Sequence, residues 1–417
     1  MGAGAEDERT AVFSPSKFIK AVDESTADTF DEATCRALLE ECGGGDGRWA
    51  SFDERWAAAV AAASDSSDAA VKVVSKQHVL RHVCSWPAEI FDGTSGTRGE
   101  ARAVNDEAES AAAGTPHFYE LDPEQARANR RKAYAHSPKR RDVSFGTTMN
   151  FAMWTPSKSA WPTGPRGVYL LFHGGGWVFG DAAGQNDTRL EAMCEELGLV
   201  ILVVDYRKAP EHPYPAPLDD CEAAAAWVEA NAKKEFGDIA GDVLIAGGES
   251  AGGNLCAATL LRRRDHHIAR GSTFPWRLTN LVYGIFDVAG TPSVEAFGNR
   301  RLVETAKDVQ YFGDCYCPNV ATREKSDVSP LRAADLTGMP PAIFTIGTED
   351  ALVDDTLLMY EAWRVAGIEA TLDVWPEGPH GVGHFGVHAT TTLGLACRAK
   401  IHAHFDSFLL ALPGKLK

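Results

Sequence analysis

Short apolar runs alternate with segments of helical period from about residue 142 to the end of the chain. The runs Asn150–Trp154, Val168–Phe172, Leu199–Asp205, Val243–Ala246, Leu281–Phe286, Ile343–Ile346 and Thr371–Trp375 predict strands. Most lack the in–out alternation of a half-solvated strand, as expected where a sheet is covered on both faces. Between several of them, Leu190–Leu197, Leu218–Ala232, Gly252–Arg263 and Asp354–Ala366 predict helices. The last stops at Gly367, a residue suited to the left-handed turn that closes a helix. This alternation predicts an α/β fold on a mostly parallel, doubly wound sheet.

Upstream the pattern is different. Asp31–Cys42 has helical period and runs into three glycines, Gly43–Gly45. Ser51 precedes the helical stretch Phe52–Ala63 with Glu54 at the position that completes a capping box. Val71–Val83 predicts a third helix. Asp92–Pro116 is rich in Gly, Ser, Thr, Ala and charge and predicts a mobile linker. Arg127, Arg130, Arg131, Lys132, Lys139, Arg140 and Arg141 follow as a basic cluster, expected to be a solvated helix face. The expected division is a helical extension over residues 1–141, flexible near 92–116 and acting as a cap or lid, and a catalytic domain over 142–417. Leu38, Leu39, Phe52, Trp56, Val60, Val79 and Val83 give the extension apolar positions that need a surface to cover, and the mouth of the site is the expected one.

Composition narrows the function. A formal net charge of −17 repels nucleic acid and anionic membrane surfaces alike. The acidic N-terminus lacks the apolar core of a signal peptide, and the apolar run Leu199–Val204 is far too short to span a bilayer. Nine cysteines, none in a C-x-x-C pair, fit reduced thiols and a cytoplasmic protein. No nucleic acid, membrane span, metal or cofactor is called for, and a homodimer is compatible with the sequence.

The chemistry is carried by three loops. Gly248-Glu249-Ser250-Ala251-Gly252 matches G-x-S-x-G between a predicted strand and a predicted helix, the setting of a nucleophile elbow. Small residues two positions either side of Ser250 let strand and helix approach closely, and the helix N-terminus adds partial positive charge. His173-Gly174-Gly175-Gly176-Trp177, one strand–helix unit earlier, offers main-chain N–H groups; Gly175 and Gly176 with Ala251 are the expected oxyanion hole. Downstream an acid and then a histidine are required in that order. Asp350 follows the predicted strand Ile343–Ile346 and is the expected acid, with Glu349, Asp354 and Asp355 as alternatives; Asp354 better suits a helix cap. His380 follows the strand Thr371–Trp375 and is the expected base, with His384 in reserve. His380, His384 and His388 recur every fourth residue, but Gly381, Gly383 and Gly386 argue against a metal-binding helix there.

From about residue 143 to 412 the chain resembles the hormone-sensitive lipase family of carboxylesterases. His173–Trp177 matches its H-G-G-G-[WF] loop, and Val204–Pro213 through Pro217–Asp220 its D-Y-R-x-A-P-E segment. Gly248–Asn254 resembles its elbow, Asp350–Asp354 its D-P-L-x-D motif, and His380–Phe385 its H-G-F-x-x-F. Glu249, Ala351 and Val382 depart from the family's Asp, Pro and Phe at positions beside the reacting groups. The resemblance implies an α/β-hydrolase fold whose cap combines the N-terminal segment with an insertion after strand 6, here near 290–327 and including Phe297, Leu302, Val309, Tyr311 and Phe312. It implies a serine hydrolase acting on small-molecule esters of short to medium acyl chain. The charges of the D-Y-R segment are expected to form a buried scaffold pair. An acyltransferase or amidase could use the same residues. So could a non-catalytic receptor of the gibberellin-receptor type, although that type has lost the histidine retained here as His380.

Overall fold

The computed structural model describes residues 29–41, 73–75, 98–133, 136–144, 149–182, 187–384 and 390–412. The chain divides into two compact units, Met1–Ile90 and Phe91–Lys417. In the first, the helix expected at Asp31–Cys42 runs over Glu32–Glu41. The expected helix at Val71–Val83 is not found where it can be described, since Val73–Ser75 is a strand paired antiparallel with Thr29–Asp31. Two adjacent β-branched valines favour that extended backbone. The helix expected at Phe52–Ala63 lies outside the described residues.

The second unit is built on an eight-stranded sheet. Its elements, in chain order, begin with α1 (Arg98–Ala112), α2 (Pro123–Ala133), β1 (Arg141–Val143), β2 (Phe151–Trp154) and β3 (Gly167–Phe172). Then come α3 (Asp187–Leu197), β4 (Leu199–Val204), α4 (Ala216–Phe236), β5 (Leu244–Glu249), α5 (Ala251–Ala269) and β6 (Trp276–Val282). The chain closes with α6 (Pro292–Phe297), α7 (Ala306–Tyr316), β7 (Ala342–Glu349), α8 (Val353–Val365), β8 (Ala370–Pro379) and α9 (Thr392–Ala411). The spatial order is β1-β2-β4-β3-β5-β6-β7-β8. β2 runs antiparallel to both neighbours and every pair from β4 to β8 is parallel. Every residue of β3, β4 and β5 is buried, which explains the uninterrupted apolar runs of β3 and β4 and the apolar start of β5. Each fully buried Leu or Val there contributes roughly 1.5–3 kcal/mol relative to exposure. No helix among the described residues is long and apolar enough to cross a membrane.

Three expectations need correction. Residues 98–112 are helical where a mobile linker was predicted. Alanine, counted there as a loop residue, is the best helix former, and α1 buries Ala101, Asn105 and Ala108. Asn105 donates to the Glu377 carbonyl at 2.8 Å and so ties α1 to β8. The basic cluster is in part a latch and not merely a solvated face. Arg127 donates to the Val178 and Ala209 carbonyls and to Glu211, Arg131 pairs with Asp181, Lys139 with Glu191 and Glu195, and Arg140 with Asp187. Finally, the strand expected at Leu281–Phe286 is β6, shifted toward the N-terminus; its ladder with β5 ends at Val282, and Tyr283 turns away with φ +37°. Residues 283–286 are buried all the same, because they form a floor beneath the cap.

The cap insertion carries α6 and α7 and is held from two sides. Asp355 of α8 accepts from the Phe286 and Asp287 N–H groups at 2.6 and 2.8 Å and from the Thr291 hydroxyl at 2.6 Å. From the other side the segment after α1 lies along it. Arg301 donates to the carbonyls of Ala112, Thr115 and Pro116, Asp308 accepts the Phe118 N–H at 3.0 Å, and the Lys307 ammonium sits 3.9 Å above the Tyr119 ring.

Candidate active site

Ser250 occupies the step between β5 and α5 with φ +57° and ψ −123°. A side chain in that conformation is strained, and surrounding contacts must hold it. Its N–H donates to Val282 on β6 at 2.9 Å, and its carbonyl accepts from Gly253 at 2.8 Å. The two glycines of the motif are sterically required: a Cβ on Gly248 would run into the Gly252 carbonyl, and one on Gly252 into the Phe172 carbonyl. This is the close approach expected from small residues either side of the serine.

Asp350 and His380 stand just beyond the C-terminal ends of β7 and β8, where an open α/β sheet gathers its ligand-facing groups. His380 Nε2 lies 2.9 Å from Ser250 Oγ, and His380 Nδ1 lies 2.9 Å from Asp350 Oδ2. Asp350 Oδ1 accepts the Leu352 N–H at 2.9 Å, which orients the carboxylate. All three side chains are buried, and the Tyr283 ring packs edge-on against the imidazole at 4.8 Å. Burial disfavours the His380 imidazolium, but the Asp350 carboxylate, then Glu304 and the Asp350 hydrogen bond outweigh it and push its pKa up to about 9.

The alternatives are engaged elsewhere. His384 faces the Tyr283 hydroxyl at 2.8 Å, and burial, then the Arg189 charge, hold it well below the usual histidine range. Glu349 pairs with Arg300. Asp354 accepts the Ser293 N–H at 2.9 Å, and Asp355 anchors the cap as described; burial raises both carboxyls above their usual range. His388 lies outside the described residues. The D-Y-R segment does supply scaffold pairs, Lys208–Asp205 and Arg207–Asp220, but the second is not buried, since the Arg207 side chain is half exposed.

The glycine loop lies against the elbow. Gly175 and Gly176 take φ of +117° and +61°, and neither N–H donates to a main-chain carbonyl among the described residues. A Cβ on Gly175 would meet the Phe179 carbonyl and one on Gly176 the Phe312 ring, so both positions demand glycine. His173 is fully buried, stacks on Tyr206 at 4.2 Å and contacts the Gly174 carbonyl at 2.8 Å, which suits a residue that orients the loop.

A cavity opens over these groups, lined by Gly175, Gly176, Ser250, Ala251 and His380 on one side and by Phe118, Phe179, Ile285, Val309, Phe312 and Leu352 on the other. Phe118, Phe179 and Phe312 form an aromatic cluster with ring centres 5.4 to 5.9 Å apart. The sequence reading missed Phe118, Phe179 and Glu304. No motif surrounds Phe118, and Phe179 lies just beyond the quoted glycine motif. Glu304, carried by the cap, reaches within 3.4 Å of His380 Nδ1. Burial, with the Asp350 and Asp308 charges, raises its pKa to about 7 against the pull of His380.

The chain is similar to known proteins. A family described as alpha/beta hydrolase fold matches residues 169–384, just over half of the chain. The carboxylic ester hydrolase LipN of Mycobacterium tuberculosis is 36% identical over 231 residues, 54% of this chain and 60% of LipN. The carboxylesterase NlhH of the same organism is 31% identical over 239 residues, 56% of this chain and 72% of NlhH. The hyperthermophilic esterase from the archaeon Pyrobaculum calidifontis has a similar structure, with a TM-score of 0.64 at 25% identity over 74% of this chain and 98% of that one. The chain belongs to the α/β-hydrolase fold family, on its hormone-sensitive-lipase-like, carboxylesterase-type branch.

Proposed function

We propose that this protein hydrolyses carboxylic esters of short to medium acyl chain through an acyl-enzyme. One observation carries the reading: a buried imidazole with Ser250 Oγ on one nitrogen and Asp350 on the other, both at 2.9 Å, beneath a largely apolar cavity. In this reading His380 Nε2 takes the Ser250 proton as Oγ attacks the ester carbonyl, and Asp350 fixes the tautomer and stabilises the imidazolium. The N–H groups of Gly175, Gly176 and Ala251 receive the oxyanion, each worth on the order of 3 kcal/mol of transition-state stabilisation. His380 then protonates the leaving alcohol, and water repeats the sequence on the acyl group. Aromatic walls supply apolar surface for the acyl chain, and no lysine or arginine is found among the described lining residues to hold an anionic one. The esterase activities in the names of LipN and NlhH support the reading.

Cys194, Cys221, Cys256, Cys315, Cys317 and Cys397 are all in the thiol form, which supports a reducing, cytoplasmic setting. The test is turnover of p-nitrophenyl esters of increasing chain length, with and without acceptor alcohols. Ser250→Ala is expected to abolish nearly all turnover, leaving roughly the 10³–10⁴-fold advantage over water that binding and the oxyanion hole supply. Undiminished turnover in that variant places the nucleophile elsewhere, and product captured mainly by the alcohol makes the protein a transferase.

A further inference from the structure

Ser250, Asp350 and His380 all stand at the edge of the sheet, but the cavity holds one more ionisable side chain, and it comes from the cap. Glu304 sits between α6 and α7, lines the cavity and is only 7% exposed. Its position is fixed locally. The next residue, Thr305, caps α7 by accepting the Asp308 N–H at 3.2 Å and donating its own N–H and hydroxyl to the Asp308 carboxylate, while the Ala306 N–H reaches the Gly298 carbonyl at 2.9 Å. Glu304 Oε1 is thereby held 3.4 Å from His380 Nδ1, the nitrogen whose hydrogen bond goes to Asp350 at the shorter 2.9 Å.

A neutral imidazole carries one N–H at most on Nδ1, and Asp350 has the better geometry for it. Glu304 therefore contributes charge to His380, and only secondarily a hydrogen bond. We propose that Glu304 is a positioning residue, a second carboxylate delivered by the cap that sets the pH range over which His380 is free to act as a base. This rests on the reading of His380 as the base. The groups facing Glu304 are His380 from the loop after β8, Asp350 from the loop after β7 and Asp308 from α7. Among the described residues, those facing His380 include Ser250, Asp350, Glu304 and the Tyr283 ring.

Two buried carboxylates around one imidazole cannot both stay ionised cheaply when the ring is neutral. Glu304 is the one that takes up a proton near neutrality, raised by burial and by Asp350 and Asp308. While Glu304 is ionised, its charge favours the imidazolium that forms when the ring receives the Ser250 proton. The carboxylate thus stabilises the imidazolium in the intermediate and raises the ring's proton affinity in the resting enzyme. The cap, which shapes the cavity, also tunes the base.

The experiment measures kcat/KM for p-nitrophenyl butyrate from pH 5 to 9.5 in the full chain and in Glu304→Gln, Glu304→Asp and Glu304→Leu, with a fluorophosphonate probe counting reactive Ser250 in each. An opposite charge within about 4–6 Å raises a histidine by 1–3 units. The acid limb is therefore expected to move down by about 1 pH unit or more in E304Q and E304L. E304D, which keeps the charge at longer range, is expected to move less. An unmoved limb in E304Q, with wild-type hydrolysis and labelling intact, overturns this inference alone. Wild-type protein that neither labels nor hydrolyses esters overturns the esterase reading and takes the inference with it. A purely steric role predicts a uniform loss of activity in all three variants and no movement of the limb.

Discussion

Ser250 holds a positive φ despite carrying a side chain, a conformation that costs on the order of 1–3 kcal/mol and persists only where neighbours fix it. Gly248, Gly252 and the Val282 carbonyl are those neighbours, and they present the hydroxyl to His380 at 2.9 Å. The pH dependence follows from the charges around that ring. A base must be unprotonated to accept the serine proton, so kcat/KM falls on the acid side of the His380 pKa. Burial works against the imidazolium, but Asp350 and Glu304 prevail and lift the group to about 9. The acid limb of kcat/KM is therefore expected above the ordinary histidine midpoint of about 6.5, with activity still rising between neutrality and mildly alkaline pH. A stopped assay from pH 5 to 9.5 checks it, and a plateau already complete at pH 6.5 counts against the charge arrangement around His380. Ser250, Asp350 and His380 were legible in the sequence because each follows an apolar strand and their order along the chain is constrained by the fold. Glu304 was not, because Val303-Glu304-Thr305 has no pattern of its own and acquires meaning only when the cap brings it to His380.

At the scale of elements, one carboxylate gathers the start of the cap insertion. Asp355 sits on α8 with no exposed surface and accepts from two main-chain N–H groups and one hydroxyl of the segment that leaves β6 for the cap. Removing it leaves two buried N–H groups without an acceptor, each costing about 1–3 kcal/mol. Asp355→Ala is therefore expected to destabilise the protein by on the order of 2–4 kcal/mol in denaturant unfolding. Asp355→Asn keeps an oxygen for the N–H groups and is expected to lose less. Equal losses in the two variants would mean that charge matters there and acceptor count does not. The acidic motif around Asp350–Asp354 advertised this region, but the sequence could not separate the acid that faces His380 from those that hold the cap. Strand positions were legible wherever burial on both faces left a clean apolar run. They slipped at 281–286 because apolarity reports burial, and the run continues past the end of β6 into the cavity floor. α1 escaped for the opposite reason: the residues it buries are mainly alanines, which form no apolar run among its charged neighbours.

At the scale of the whole molecule, the cavity wall is assembled from distant parts of the chain: Phe179 after the glycine loop, Phe312 on α7, and Phe118 from the segment that follows α1. Asp308, Arg301 and Lys307 of the cap hold that last segment, so the sequence expectation that residues before 142 help to form the pocket has a concrete candidate in Phe118. Every described residue lining the cavity belongs to the unit Phe91–Lys417, which also contains the eight-stranded sheet. Two changes therefore have different expected consequences. Phe118→Ala removes an aromatic wall and is expected to shift the preferred p-nitrophenyl ester toward longer acyl chains, since each methylene accommodated in an apolar pocket is worth about 1–3 kcal/mol. Deleting residues 1–90 leaves every described residue of the wall in place, and an unchanged chain-length ranking and melting temperature would make that stretch a separate appendage. Measuring both variants against the same ester series, alongside thermal unfolding, separates the possibilities. A truncated chain whose ranking shifts as Phe118→Ala does would give the first ninety residues a part in the acyl pocket, and a lower melting temperature would make them a buttress of the sheet or cap.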